Sequence, residues 1–176
     1  DIARYASIQG GNTSVIFSLE MSRSEITMRM LSAEARVGLN NIRAGNLSDE
    51  EWSRLARRMG EISAAPLFID DSPNLSLMEI RAKARRLKQR HDLKLIVIDY
   101  LHLMTSGKKV ESRPQAVSEF SRQLKLLANE LAVPVMAISH LNLSPCQRSY
   151  TTPILSTPPQ SGSNTPDAPV VILLPP

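Results

Sequence analysis

Residues 93–104 read "LKLIVIDYLHLM", and the fold turns on how that run is understood. Leu95, Ile96, Val97 and Ile98 form a short, mostly β-branched apolar stretch of the kind that fills a central strand. Asp99 ends it with a carboxylate, which is costly to bury without a partner. A strand that is apolar throughout and acidic at its tip belongs to a sheet covered on both faces, with its carboxyl end opening on a polar site.

The neighbouring patterns agree. "SVIFSL" (14–19) is a second β-branched run, following the turn-prone "GGNT". Ser22 to about Val37 carries Ile26, Met30 and Ala33 at helical spacing. Residues 48–63 open with a capping box, Ser48 with Glu51, and stripe Trp52, Leu55, Met59 and Ile62 along one face. "PLFID" (66–70) is a further strand. Residues 76–90 repeat the capping box with Ser76 and Glu79 and stripe Leu77, Ile80, Ala84 and Leu87. A helix at about 115–131 bears Val117, Phe120, Leu124, Leu127 and Leu131. "VPVMAIS" (133–139) and "VVILL" (170–174) complete the strands. Short apolar strands alternating with amphipathic helices predict an α/β fold of the doubly wound kind, a parallel sheet with helices on both faces. Ligands of such sheets sit beyond the carboxyl ends of the strands.

Composition bounds the function. The chain has 176 residues, 42% hydrophobic and 22% charged, with a formal charge of +4, enough for one globular domain and compatible with an anionic partner. The single cysteine, Cys146, excludes an internal disulfide and a cysteine-based zinc site, as expected in a reducing, cytoplasmic setting. It has no neighbouring base that would make it a nucleophile. No apolar run approaches a membrane span, so no membrane partner is expected. The chain opens on Asp1, not Met, as a fragment would.

Three strand ends carry polar residues. The strand at 14–19 runs into Glu20, the strand at 94–100 carries Asp99, and the strand at 133–139 runs into Ser139 and His140. Each has a plain reading, as a helix cap or a structural hydrogen-bonder. Together they suit phosphoryl transfer. Four apolar residues and an Asp make the Walker B pattern, whose carboxylate holds magnesium, often through water. A Glu on an adjacent strand can orient or deprotonate a water. A polar group on the third can sense a γ-phosphate.

At this point a family likeness is carried by consecutive motifs. "VIFSLEMSRSEITMRMLS", "IRAGNLSDEEW", "PLFIDDSPNLSLMEIRAKARRL", "LIVIDYLHLM" and "VPVMAISHLN" resemble, in order and spacing, the DnaB family of replicative DNA helicases, its actinobacterial branch in particular. The resemblance implies a RecA-like P-loop NTPase core that binds ATP and Mg²⁺, assembles as a homo-hexamer, moves on single-stranded DNA, and meets primase and a helicase loader. It implies Glu20 as the catalytic glutamate, Asp99 as the Walker B acid and His140 as the γ-phosphate sensor in place of a usual Gln. His102 likewise stands where the family has Gln.

Departures accompany the likeness. GxxxxGK[ST] does not occur in these 176 residues; "DIARYASIQGGNT" resembles the segment that follows it. The core is therefore expected to be truncated at both ends and this chain alone to be inactive, with residues 1–142 as motor core and 143–176 as a divergent, proline-rich DNA-loop region ending in the last core strand. Beyond residue 140 only Arg148 and Asp167 are charged, while eight of the twelve prolines fall there. Two loops follow the active strands in RecA-like folds. In the first (105–115) Lys108, Lys109 and Arg113 are candidates for DNA phosphates, or an ordinary solvated loop; in the second, Arg148 is the remaining cation and Tyr150 the one stacking candidate. The basic run Arg81–Arg90 reads as the solvated face of a core-packed helix. The competing class is a RecA-like module that binds a subunit or nucleic acid without turnover.

Overall fold

Strand register decides what this chain can build. The computed structural model describes residues 1–73, 75–99, 113–139, 168 and 170–172, with backbone alone for 113–118. In it β1 (Ser14–Ser18), β2 (Leu67–Asp70), β3 (Leu95–Asp99) and β4 (Val135–Ala137) stand in the order β2-β1-β3-β4, every neighbouring pair parallel. The helices are α1 (Ile2–Arg4), continued by a π-helical turn at Tyr5–Gln9, then α2 (Arg23–Ala35), α3 (Leu39–Ala44), α4 (Asp49–Ala64), α5 (Leu77–His91) and α6 (Arg113–Leu131). None of the described helices is long and apolar enough to cross a membrane.

Val15 pairs with Ile96 and Phe17 with Ile98, so alternation puts these four on one face of the sheet. All are buried, and they pack against Ile80 and Ala84 of α5 and Phe120, Leu124 and Leu127 of α6. The other face carries Ser14, Ile16 and Ser18 beside Leu95, Val97 and Asp99; α1 lies against β1, and its buried Ala3 stands outside the α5–α6 core. Between β1 and β2 the chain inserts α2, α3 and α4, which share a small core of Ala35, Val37 and Leu55 with Leu31, Ile42 and Leu47 around it.

Both capping boxes form as the sequence predicts. Ser48 Oγ accepts from Glu51 N at 3.2 Å while Ser48 N donates to Glu51 Oε2 at 2.9 Å, and Ser76 repeats this with Glu79 at 3.3 and 2.8 Å. Each fixes where a helix starts.

Five expectations change. The stripe on α4 is not a buried face: Leu55 is 3% exposed, but Trp52 and Met59 are 55% and 57% exposed, because α4 packs on α2 along its Leu55 edge alone. α3 is an addition to the expected elements; six residues with two large apolar side chains set no period, and Gly45, at φ 72°, ends it in the left-handed region that glycine adopts freely. α6 begins at Arg113, not near 115, since Pro114 is tolerated in a first turn; Arg113 thus opens a helix and does not sit within a loop. The strand expected at 133–139 narrows to Val135–Ala137, with Ile96 N donating to Pro134 O and Ile138 N to Ile98 O at its ends. Residues 170–172 of the expected last strand are exposed and form no strand, for no described strand lends them a ladder. Residues 173 and 174 lie outside the described residues.

Phe17→Ala should cost about 3–5 kcal/mol by leaving a cavity in the fully buried core, whereas Met59→Ala should stay within about 0.5 kcal/mol, both read from denaturant-induced unfolding.

Candidate functional site

All four strands point the same way, so their carboxyl ends share one rim. Ser18 pairs with Asp99, Phe17 with both Asp70 and Ile98, and Ile98 with Ala137. Just beyond these pairs come Glu20 on β1, Asp71 on β2 and Ser139 on β4. Glu20 and Asp99 are thus brought together on adjacent strands, Glu20 exposed and Asp99 half-buried. β4, from which His140 follows, is β3's other neighbour. His140 itself, with Lys108, Lys109 and Arg148, lies outside the described residues. Arg113 opens α6, which carries the chain back from the carboxyl end of β3 to the start of β4.

The turn bearing Glu20 is held on both sides. Ser18 is 2% exposed, and its hydroxyl donates to Met21 O at 2.7 Å while accepting from Met21 N at 3.1 Å. Leu19 N donates to Asp99 O at 2.7 Å, tying the residue before Glu20 to the neighbouring strand tip. On the far side Asp71 Oδ2 accepts from Arg23 N at 2.8 Å, a carboxylate set against the first turn of α2, where the helix dipole favours negative charge. The Arg23 guanidinium lies 3.6 Å from Asp71 Oδ1, and Ser22 caps α2 by accepting from Glu25 N at 3.3 Å. The backbone from Ser18 to Arg23 is therefore fixed at four points, and Glu20 is presented outward from a rigid turn.

The other acids of the rim are engaged structurally. Burial pushes the Asp70 carboxyl up, but hydrogen bonds from Lys83, and from the Ser72 side chain and backbone, outweigh it and leave it below the usual aspartate value. Lys83 Nζ is 2.6 Å from Asp70 Oδ2, and Ser72 donates to Oδ1 from Oγ at 2.6 Å and from N at 3.1 Å. At Ser139 the Oγ is buried with no hydrogen-bond partner among the described residues. No cluster of three or more His, Cys, Asp or Glu that could hold a metal occurs among the described residues. One carboxylate at a strand tip is nonetheless the donor set that suits magnesium, which takes one or two carboxylates and fills its shell with phosphate oxygens and water.

Sequence reasoning placed Glu20 and Asp99 at the ends of adjacent strands, where the fold has them. It missed Ser18 and Asp71, the residues that hold Glu20's turn. The available signal was a serine interrupting an apolar strand and a doubled acid in "IDD".

Comparisons with known proteins bear on this geometry. The family model of the DnaB-like helicase C terminal domain matches residues 1–175. The replicative DNA helicase DnaB of Mycobacterium intracellulare is 66% identical over 174 residues, covering 99% of this chain and 30% of the relative. That of Leifsonia xyli is 59% identical, with 99% and 38% covered. The chain therefore spans about a third of the length of the curated relatives it matches. Among solved structures, one ATPase domain superposes with a TM-score of 0.85 at 31% identity, covering 94% of this chain and 60% of that one. A DnaB-like replicative helicase described with its interactions with primase gives 0.85 at 32%, covering 91% and 39%. The RecA-like α/β fold expected from the sequence is the fold these structures share with it.

Ser18→Ala should release Met21, leaving its amide without the hydroxyl acceptor. Hydrogen exchange at Met21 is expected to quicken by about tenfold or more, and global stability to fall by about 1–3 kcal/mol for the lost buried bonds.

Proposed function

The chain belongs to the family of the DnaB-like helicase C terminal domain, and from that premise we propose that its carboxyl rim is the nucleotide-facing edge of a replicative helicase motor. In this reading ATP hydrolysis drives movement along single-stranded DNA and duplex unwinding. One observation carries it: Ser18 and Asp99 are register partners on adjacent parallel strands, and Glu20 follows from a turn pinned to that pair.

The roles follow from position. Glu20, exposed on a rigid turn, orients or deprotonates the attacking water; a positioned general base contributes about 10²–10⁴ in rate. Asp99 would hold Mg²⁺ through water, and the ion when bound supplies positive charge against the phosphates. His140, a short step in sequence past the end of β4, reads the γ-phosphate and passes its state to the loop that follows. Lys108, Lys109, Arg113 and Arg148 give salt-dependent, sequence-independent contacts to the DNA phosphates. Residues 1–142 act as the motor core and 143–176 as the DNA-loop region.

Further readings extend this to the whole protein. It works in the cytoplasm as a homo-hexamer, with primase and a helicase loader as partners. One structural relative described with its interactions with primase supports the first of these partners. A non-catalytic remnant is the weaker reading, because the relatives that match nearly the whole chain are replicative DNA helicases.

Joined to a GxxxxGK[ST] segment ahead of Asp1, the chain should lose about 10²–10⁴-fold of its ATPase rate on Glu20→Gln while binding nucleotide as before. Unchanged turnover in that variant would remove Glu20 from the chemistry.

A further inference from the structure

A second charged site lies away from the rim. Between the end of α2 and the middle of α4 is a cleft of about 340 Å³, lined by Glu34, Ala35, Arg36, Arg54, Arg57 and Arg58. α2 starts at the rim with Arg23, and thirteen residues of helix put Arg36 about 20 Å along its axis. Four guanidinium groups therefore gather where no proposed step of hydrolysis occurs.

The charges do not cancel. Glu34, the one acid of the lining, is paired with Arg4 and nearly buried. Arg58 is paired with Glu61, and Arg54 reaches Glu50 only at 3.4 Å. The side chains of Arg36 and Arg57 have no carboxylate or hydrogen-bond partner among the described residues. The Arg54 Nε is buried and also lacks a partner. A dry, unsatisfied guanidinium N–H is what folded proteins avoid unless a further group meets it.

The backbone at Arg36 is left-handed, as it is past the ends of α5 and α6, at Asp92 and Ala132. Arg36 ends α2 at φ 53°, ψ 48°, the left-handed position where glycine or asparagine is cheaper. The cap is otherwise ordinary, with Val37 N donating to Ser32 O at 3.1 Å and Ser32 Oγ to Val37 O at 2.6 Å. A long cation occupies a glycine site, and Arg36 lines the cleft.

We propose that this cleft binds the phosphate groups of a small molecule, of about the size of a diphosphate. Guanidinium forks match phosphate oxygens two at a time, and arginine is the side chain suited to that pairing. The volume falls at the small end of ligand sites, roughly 300–1,000 Å³. The diphosphate has two sources, free pyrophosphate or the tail of a nucleotide.

Titration calorimetry of the protein with inorganic pyrophosphate, and separately with ADP, tests the site at about 0.15 M ionic strength. Saturable one-to-one binding of pyrophosphate is expected, weaker by about tenfold or more in the double variant Arg36→Gly, Arg57→Gln. Arg36→Gly alone should weaken binding while leaving the thermal midpoint unchanged or raised, since glycine relieves the left-handed backbone. ADP that displaces bound pyrophosphate with an affinity equal to pyrophosphate's own identifies a site that reads phosphates alone; tighter displacement, with the gain lost in the double variant, identifies a nucleotide. Absence of saturable pyrophosphate binding, or binding that the double variant leaves intact, overturns the proposal. So does tighter binding of tetraglutamate than of pyrophosphate, which would assign the cleft to an acidic protein segment.

Discussion

The ladder between β1 and β3 is the constraint on which the site depends. Five register pairs, from Ser14 with Leu95 to Ser18 with Asp99, lock two strands in parallel and fix which residues emerge at the rim. Because side chains alternate along a strand, a slip of β3 by one residue would turn Ile96 and Ile98 away from α5 and α6. It would also carry Asp99 off its place beside Ser18. The energy that holds the core is thus the energy that holds the acid in position.

The carboxylates of the rim divide their work. Asp70 is tied to Lys83 and Ser72, and Asp71 to the first turn of α2, so both stabilise structure. Glu20 lies between these fastenings on an exposed turn, with its backbone immobilised by Ser18, by Asp99 and by Asp71 acting through Arg23. Preorganisation of this kind suits the general-base role proposed for Glu20, since such a group's geometry is set before the reacting water arrives. The arginine cleft stands apart from this machinery, at the other end of α2.

Much of the fold was legible because it is written in short-range patterns. The β-branched runs "SVIFS" and "LIVID" and the boxes Ser48–Glu51 and Ser76–Glu79 act within a few residues, and each is realised. Periodicity reports that a helix has an apolar stripe, not whether anything covers it, so Trp52 and Met59 look like core in the sequence and stand exposed in the fold. An apolar run likewise does not reveal a ladder partner, which is why residues 170–172 have a strand's composition without forming one. Within the site, Glu20 and Asp99 were readable as acids at strand ends. Ser18 acts on Met21, three residues on, and its mark is a serine interrupting an apolar run. Asp71 acts on the Arg23 amide 48 residues away, a pairing that the doubled acid alone does not reveal.

The claim that the carboxyl rim faces the nucleotide is most directly tested by paramagnetic broadening of amide signals on adding Mn²⁺–ATP to the isotope-labelled protein joined to the GxxxxGK[ST] segment. Broadening should be greatest at Leu19 to Arg23 and at Asp99, and weakest at Thr13, Leu67 and Leu95, about 10–17 Å away toward the amino ends of the strands. Broadening centred on the amino ends, with Glu20 and Asp99 sharp, would contradict the account.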